Sequence, residues 1–250
     1  NSLEEAFGDL TDQIFALETG LSSDPLMNWR LSQLDKCVLV SNGDAHSPPK
    51  LGREATIFDG DMSYTAIYNA LKYPQKNKGL IGTIEFYPEE GKYHYDGCRN
   101  CEQRLHPRQT IELNGKCPGC GKAVTVGVMA RVEELADHPE GRKSPNSRPY
   151  YSLIPLTEII ADAKGMGQAS QAVQTLYFEM LNRLGNEIYI LRECPLERIQ
   201  QSFGDKIAEG IDRVRTGKIE IAAGYDGEYG KIKIFSSQER EIVKEQLLLF

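Results

Sequence analysis

Short apolar runs that end in polar loops dominate the beginning of the chain. Val38–Val40 is rich in β-branched residues and a polar sequence follows it at once, which predicts a buried strand that ends in a loop. Ile14–Leu17 is a second such run, and Glu18 stands at its end. Because residues 2–7 and Met27–Leu34 have helical spacing, the order helix, strand, helix, strand predicts part of a parallel α/β architecture.

The next part of the pattern alternates between helix and strand signals. Asp61–Tyr73 predicts a helix that ends before Pro74. Leu80–Tyr87 and Lys92–Tyr95 are rich in β-forming residues and flank the turn-forming sequence Pro88–Gly91. We therefore expect these two runs to pair as a hairpin.

Helical spacing dominates from residue 156 onward. The predicted helices have apolar residues three and four positions apart, and they are Leu156–Ala163, Gln168–Leu184, Leu196–Gln201, Asp205–Thr216 and Ser237–Leu248. Glu187–Leu191 predicts a strand. Lys218–Ala222 and Lys231–Phe235 predict two short strands on either side of the loop Gly224–Gly230, GYDGEYG.

Composition narrows the classes of function. The chain has 250 residues, of which 40% are hydrophobic and 26% charged, as is typical of a globular protein. No apolar run approaches the ~18 residues that a membrane span needs. The acidic start NSLEEAFGD does not have the pattern of a signal peptide. These features predict an intracellular, cytoplasmic protein without a membrane partner.

Charge is unevenly distributed along the chain. The net charge of −7 argues against a protein that binds nucleic acid through its overall charge. Residues 98–150, however, contain nine Lys and Arg against six Asp and Glu. If the chain contacts DNA or RNA, this segment is the best candidate, although a solvated surface is the commoner explanation for so small an excess.

Four of the six cysteines form the most specific local motif. Cys98 and Cys101 are separated by two residues, as are Cys117 and Cys120, and fifteen residues lie between the pairs. This spacing predicts a tetrahedral zinc site, and four thiolates that leave no open position indicate a structural metal. Since so small a segment buries little apolar surface, we expect the zinc to hold it folded.

The sequence Asp44-x-His46 is the second chemical feature. It follows the predicted strand Val38–Val40 directly, so a carboxylate and an imidazole project in the same direction from the carboxyl end of a strand. Barrel enzymes place their chemistry at this edge. Because both side chains are common ligands of divalent metals, the pair predicts a metal-dependent site.

Two further sequences are open to either a functional or a structural interpretation. Residues 137–149 are rich in Pro, Gly and charge, and Arg142, Lys143 and Arg148 could contact phosphate, although a solvated linker is the commoner case. Tyr225 and Tyr229 in the glycine-rich loop could stack on a base. They could equally pack on their own domain, and from physical chemistry alone we favour that structural role.

Three motifs together resemble one family. The sequence ALETGLSSDPLMNWRLSQLDKCVLVSNGDAHSPPKLGREATIF, the Cys₄ motif and GYDGEYGKIKIF occur in this order and are similar to endonuclease Q. That family belongs to the polymerase-and-histidinol-phosphatase (PHP) superfamily, and some relatives are described as PHP-domain proteins associated with UvrD-type helicases. The resemblance covers nearly the whole chain.

The resemblance implies a metal-dependent DNA repair endonuclease. Such an enzyme nicks on the 5′ side of deaminated bases (hypoxanthine, uracil or xanthine) or of abasic sites, and works on the nucleoid alongside replication and repair proteins. By similarity, Asp44 and His46 are catalytic and bind a divalent metal (Zn²⁺, Mg²⁺ or Mn²⁺), Glu18 is a further metal ligand, and the four cysteines bind structural Zn²⁺. Candidate DNA contacts are Arg53, Arg142, Lys143, Arg148, Tyr225 and Tyr229.

The resemblance also implies a fold and a division into domains. We expect a multidomain protein of the α/β and α+β classes. Residues 1–80 would form the C-terminal portion of a distorted β/α barrel of PHP type, and residues 81–136 the zinc-binding domain. Residues 137–150 would be a linker, and residues 151–250 a mixed α/β C-terminal domain.

The chain departs from the family pattern in its histidines. PHP sites begin with a His-x-His motif, whereas this chain has only four His and none in that arrangement. We therefore expect an N-terminally truncated chain with an incomplete catalytic metal cluster. Gly43 also stands where the family sequence SNSDAHS has Ser, which would loosen the loop.

Two alternatives from other classes fit parts of the sequence. A DNA-binding or helicase-associated zinc module without catalysis would explain the Cys₄ motif and the missing histidines. A PHP-type phosphoesterase acting on a small substrate would explain Asp44 and His46 but not the zinc motif.

Overall fold

The computed structural model describes residues 2–236 and Glu239, and divides them into two compact units. Within the described residues, unit 1 comprises residues 2–151 together with the loop Ala223–Gly230, and unit 2 comprises residues 152–222, 231–236 and Glu239. The helix predicted over Ser237–Leu248 lies outside the described residues except for Glu239. The finer boundaries expected within residues 1–150 stay predictions.

Unit 1 begins with the predicted helix and two parallel strands. Helix α1 (Leu3–Phe7) is capped by the Ser2 hydroxyl, which accepts a hydrogen bond from the Glu5 backbone N–H. Strands β1 (Ala16–Glu18) and β2 (Val38–Val40) pair in parallel, with Glu18 opposite Val40. Both predicted strands are therefore confirmed, and their carboxyl ends lie at one edge.

The segment between β1 and β2 is less helical than the apolar spacing predicts. Helix α2 (Pro25–Asn28) is one turn long, is capped by Asp24, and is followed by a separate 3₁₀ turn, Ser32–Leu34. The continuous helix expected over Met27–Leu34 is therefore wrong. Trp29 and Arg30 are buried at the break, so tertiary packing decides the conformation there.

A three-stranded sheet follows, in which the first two strands along the chain pair antiparallel. Strands β3 (Ala55–Phe58), β4 (Leu80–Glu85) and β7 (Tyr150–Ser152) lie in the order β3-β4-β7, and helix α3 (Tyr64–Lys72) connects the first two. Val38, Ala70 and Leu80 pack together as a core that links the parallel pair, the helix and this sheet.

The hairpin expected between Leu80–Tyr87 and Lys92–Tyr95 is wrong. Strand β4 pairs with β3 instead, whereas the Tyr95 backbone N–H donates to the carbonyl of Gly224 at 3.0 Å. The sequence shows two β-rich runs around a turn but cannot show that better partners for both lie elsewhere in the chain.

The cysteine segment is built from short elements. Strands β5 (Asp96–Cys98) and β6 (Gln103–Leu105) form an antiparallel pair around the first two cysteines. Helices α4 (Pro107–Glu112) and α5 (Val128–Leu135) follow, on either side of the second cysteine pair. Cys98, Leu105, Cys117 and Val124 form its small buried cluster.

Unit 2 is a helical body with a two-stranded hairpin. Its helices are α6 (Leu156–Lys164), α7 (Gln171–Leu184), α8 (Glu187–Arg192), α9 (Leu196–Phe203) and α10 (Asp205–Arg215). Strands β8 (Glu220–Ala222) and β9 (Lys231–Lys233) pair antiparallel, as expected. Its buried residues are mainly aliphatic, including Ile159, Ile160, Met180, Ile199, Ile207 and Ile211.

The strand expected over Glu187–Leu191 is a helix, α8. The Asn186 side chain caps it by accepting from the Tyr189 backbone N–H at 2.9 Å. The Glu187 carboxylate accepts from the Leu156 backbone N–H at 2.7 Å and from the Tyr177 hydroxyl at 2.9 Å. A five-residue apolar run is compatible with a strand or a helix, so the cap and these contacts determine that the segment is helical.

Candidate active site and zinc centre

Asp44 and His46 lie in the loop that leaves strand β2. Ser41 fixes the start of this loop, because its hydroxyl donates to the Ile84 carbonyl at 2.7 Å and its N–H donates to the Thr56 hydroxyl at 3.0 Å. The Asp44 and His46 side chains are 91% and 83% exposed, and Asp44 Oδ1 lies 3.8 Å from His46 Nδ1. The pair is thus together and open to an external ligand.

Glu18 ends strand β1 beside the start of that loop. Its register partner is Val40, three residues before Gly43, so it stands at the same strand edge as Asp44 and His46. Within residues 2–236, however, the ligand atoms of Glu18, Asp44 and His46 do not approach closely enough to form a three-ligand metal group. A catalytic metal commonly needs three protein ligands, so these residues alone do not complete a site.

Two buried carboxyl groups lie close to this edge and were not singled out from the sequence. Glu54 and Glu85 are 4% and 0% exposed. Burial, together with the negative charges of Glu85 and Glu18, raises the pKa of Glu54 to about 7. Burial likewise raises the pKa of Glu85 to about 7, although hydrogen bonds from the Thr83 and Thr19 hydroxyls act against it.

Glu85 could have been found from the sequence. It ends strand β4 in the run LIGTIE, and a carboxylate at a strand end is the same signal that singled out Glu18. Glu54 gives no comparable signal, because it precedes its strand. Among the residues that the structure describes, its Oε1 atom is buried without a hydrogen-bond partner, which carries a cost in desolvation.

The four cysteines converge as the spacing predicts. Their Sγ atoms all lie within 4.8 Å of one another, and those of Cys98 and Cys120 are 4.0 Å apart. Tetrahedral zinc with Zn–S bonds of about 2.3 Å would place its sulfurs about 3.8 Å apart, so the group fits this metal. Cys98 and Cys117 are buried, and Cys120 is exposed.

The turn around the second cysteine pair depends on glycine. Gly121 has φ +71°, and its N–H donates to the Cys117 carbonyl at 2.8 Å. Burial raises the pKa of the Cys117 thiol, but hydrogen bonds from the backbone N–H groups of Cys120 and Gly119 more than offset this, and the pKa is about 7. The turn therefore favours the thiolate that zinc binds.

The glycine-rich loop packs against the first cysteine pair. The Asp226 carboxylate accepts from the Arg99 backbone N–H at 2.7 Å and from the Thr125 hydroxyl at 2.5 Å. The ring of Tyr225 lies so close to Gly97 that a Cβ there would be 2.4 Å from it. Tyr225 thus packs on its own unit, whereas Tyr229 is 67% exposed.

The other candidate DNA contacts differ in how they are held. Arg142 is paired with Asp35, at 2.8 Å from its Nη1, and Arg148 donates to the carbonyls of Leu80 and Pro74. Through these contacts both guanidinium groups hold residues 137–149 against the rest of unit 1. Lys143 is exposed, and the Arg53 guanidinium lies 5.7 Å from the Phe86 ring centroid. Their roles toward DNA stay predictions.

A cavity of about 280 Å³ lies between α2 and the start of the zinc segment, lined by Asp24, Arg30, Glu89, His94 and His106 among others. Burial lowers the pKa of His94 to about 4, so its ring is neutral. His94 Nδ1 and Glu89 Oε2 are buried without a hydrogen-bond partner in the described part of the chain. No motif in the sequence connects these residues.

Next to this cavity, His106, Glu133 and Glu140 have the spacing of a second metal group. Their environment does not fit a cation, because Arg30 Nη1 lies 2.9 Å from Glu133 and Arg108 Nη2 lies 3.3 Å from Glu140. These guanidinium groups already neutralise the carboxylates, so the cluster is an ion-pair network.

One family model matches part of unit 2, and two known proteins match nearly the whole chain. The family model of the MJ0043 C-terminal domain matches residues 155–218, within unit 2. The uncharacterized protein MJ0043 of Methanocaldococcus jannaschii is 37% identical over 93% of this chain and 30% of its own length. The uncharacterized protein YqxK of Bacillus subtilis is 34% identical over 93% of this chain and 56% of its own length.

Solved structures also match nearly the whole chain. The lesion-specific endonuclease PfuEndoQ of Pyrococcus furiosus has a TM-score of 0.82 and 35% identity, over 93% of this chain and 57% of that one. The chain is similar to endonuclease Q. A complex of endonuclease Q with a 27-mer duplex carrying an abasic lesion matches with a TM-score of 0.76 and 34% identity, over 98% of this chain and 60% of that one.

These comparisons confirm the resemblance to endonuclease Q that the three motifs predict, and they agree with the mixed α/β fold class. The chain spans about a third to three fifths of the length of the relatives described above. No helix within residues 2–236 is long and apolar enough to cross a membrane.

Proposed function

We propose that this chain is part of a metal-dependent endonuclease that nicks DNA at damaged nucleotides. The observation that carries the proposal is its likeness, over more than nine tenths of its length, to a lesion-specific endonuclease and to endonuclease Q bound to a duplex with an abasic lesion. The proposed substrates are abasic sites and the deaminated bases hypoxanthine, uracil and xanthine, with the nick on the 5′ side.

Asp44 and His46 are the proposed catalytic residues. They are adjacent, exposed and located at the carboxyl end of a strand, where a carboxylate oxygen and an imidazole nitrogen could hold a divalent metal such as Zn²⁺, Mg²⁺ or Mn²⁺. Such a metal, when bound, would polarise a phosphate oxygen and activate water. Because the two residues supply only part of a ligand set, further ligands are needed beyond those that the described residues bring together.

The Cys₄ centre has a structural role in this proposal. Four thiolates would fill the coordination sphere of Zn²⁺ and leave no position for substrate. The centre would hold β5, β6 and the glycine-rich loop in place, and so shape the surface that this part of unit 1 presents.

Nicking of defined duplexes tests the proposal. The substrates are one duplex with an abasic-site analogue, one with uracil, one with hypoxanthine and one undamaged duplex, each with Mg²⁺ or Mn²⁺. We expect selective nicking of damaged strands and its loss in Asp44→Asn, with DNA binding retained. Asp61→Asn is the matched control, because Asp61 is an exposed carboxylate in the loop between β3 and α3.

Two results would contradict parts of the proposal. Nicking by Asp44→Asn at the wild-type rate would remove Asp44 from the site. Lesion-selective binding without nicking under any metal condition would favour the non-catalytic DNA-binding alternative, a result that the incomplete ligand set of Glu18, Asp44 and His46 makes worth testing.

A further inference from the structure

Four exposed side chains of unit 1 form one surface, which we name the tyrosine patch: Lys92, Tyr93, Arg99 and Tyr229. The two tyrosines are 51% and 67% exposed, and Lys92 Nζ lies 4.8 Å from the Tyr229 ring centroid. The patch is continuous across Gly227, where a Cβ would lie 3.5 Å from Arg99 Nη1 and 3.7 Å from the Tyr93 hydroxyl.

The backbone beneath the tyrosine patch is held by hydrogen bonds between distant parts of the chain. Gly224 and Gly230 donate to the carbonyls of Glu89 and Glu90 at 2.7 and 3.1 Å, and Gly227 donates to that of Lys92 at 3.0 Å. At Gly230 a Cβ would lie 2.0 Å from the Glu89 carbonyl oxygen, so only glycine allows this approach. The two rings are therefore presented from a fixed frame, which lowers the entropic cost of binding.

Packing does not account for the exposure of these rings. Tyr225 of the same loop fills the contact with Gly97, while Tyr93 and Tyr229 leave much of their surface to solvent. The loop has two acidic residues beside Arg99. Asp226 is held by hydrogen bonds from the Arg99 backbone N–H and the Thr125 hydroxyl. Glu228 lies 3.9 Å from the Arg99 guanidinium, and both of these side chains are more than half exposed. An exposed pair of this kind contributes little and exchanges readily for another anion.

We propose that the tyrosine patch binds a DNA strand where the face of a base is accessible, as beside an abasic gap or in a single-stranded stretch. Tyrosine rings stack on bases of any sequence, and the two cations would contact the adjacent phosphates. This inference rests on the proposed function and assigns a surface to its substrate. Two cations beside two exposed aromatic faces match the phosphates and bases of DNA better than they match a protein ligand.

Binding of a labelled duplex with an abasic-site analogue, followed by fluorescence anisotropy in an Asp44→Asn background, tests this surface. We expect Tyr229→Ala and Tyr93→Ala each to weaken binding about tenfold, and Tyr229→Phe, which keeps the ring, to bind as the parent does. Lys92→Ala should reduce the slope of log affinity against log salt by about one. All three substituted positions are exposed, so the variants should fold.

Matched controls lie elsewhere in the same unit. Tyr64 is 81% exposed and Lys116 is exposed within the zinc segment, so Tyr64→Ala and Lys116→Ala remove similar groups outside the patch. Both should bind DNA as the parent does.

The outcomes separate this inference from the proposed function. If wild type nicks damaged DNA while Tyr229→Ala and Tyr93→Ala bind it as tightly as the parent, the patch is not a DNA surface and the proposed function stands. If Tyr229→Phe is as weak as Tyr229→Ala, the hydroxyl and not the stacking face matters, which also overturns the proposal. If wild type binds no DNA at low salt, the proposed function itself fails.

Discussion

Burial sets the protonation of two carboxyl groups near the candidate active site. Glu54 and Glu85 both have a pKa of about 7, chiefly because they are removed from water, and Glu85 further raises the pKa of Glu54 by charge repulsion. Near neutral pH both groups are therefore partly protonated. The strand edge that carries Glu18, Asp44 and His46 therefore lies close to two carboxyl groups whose charge changes in the physiological pH range.

This shift predicts a fall in stability as pH rises. The folded-state pKa of each group is above its unfolded value, so the native state holds these protons more tightly, and the stability they contribute is lost as pH rises through about 7. We expect the free energy of unfolding to decrease from pH 6 to pH 8, and Glu85→Gln to flatten that decrease. Urea unfolding at several pH values measures it.

Glu112→Gln is the control for this prediction, because Glu112 is an exposed carboxylate on α4. It should keep the wild-type dependence on pH. An equally steep decrease in Glu85→Gln and Glu54→Gln would show that other groups are responsible.

At the scale of elements, the 3₁₀ turn Arg99–Cys101 depends on a residue far along the chain. Asp226 accepts from the Arg99 N–H at the start of this turn, as a capping side chain does at a helix N-terminus. Hydrogen bonds from Arg99 and Thr125 lower the pKa of the Asp226 carboxyl, so it is ionised at neutral pH. Zinc binding by Cys98 and Cys101 should therefore be sensitive to Asp226.

We predict that Asp226→Ala weakens zinc binding and destabilises unit 1 by on the order of 1 kcal/mol, the typical value of a lost cap. Chelator competition followed by a colorimetric zinc indicator measures the first effect, and urea unfolding the second. Asp226→Asn is the matched control, since Asn retains an acceptor oxygen and tolerates the left-handed φ of 44° found here. Equal zinc affinities in Asp226→Ala and wild type would contradict this role.

At the scale of the whole molecule, unit 1 is completed by a loop from the other end of the chain. Residues 223–230 belong to unit 1 although the strands on either side of them belong to unit 2. The backbone hydrogen bonds of Gly224, Gly227 and Gly230 to residues 89–92 are the physical basis of this assignment. The zinc segment and the loop should therefore lose order together.

Removal of zinc tests this coupling. We expect residues 96–125 and 223–230 to lose amide hydrogen-exchange protection in parallel after chelation, because the loop is hydrogen-bonded to the segment that the metal holds. Helices α6 and α7 serve as the internal reference and should keep their protection. Retained protection of residues 223–230 in the metal-free protein would show that the loop docks without zinc.

Features that depend on local spacing could be predicted from the sequence alone. Strand β2, helix α6, helix α10 and the Cys₄ group follow from apolar periodicity, caps and ligand spacing, all of which act over a few residues. The sequence motifs likewise predict the resemblance to endonuclease Q, and the structural comparisons confirm it.

Only the tertiary structure decided which distant groups meet. The state of Glu187–Leu191 depends on a cap and on contacts with Leu156 and Tyr177, and the partner of β4 is β3, not the run after Pro88. The burial of Glu54 and Glu85, and the packing of Tyr225 while Tyr229 stays exposed, could likewise not be predicted from the sequence. The reason is physical, since desolvation and side-chain packing are properties of surroundings that residues far apart in the chain supply.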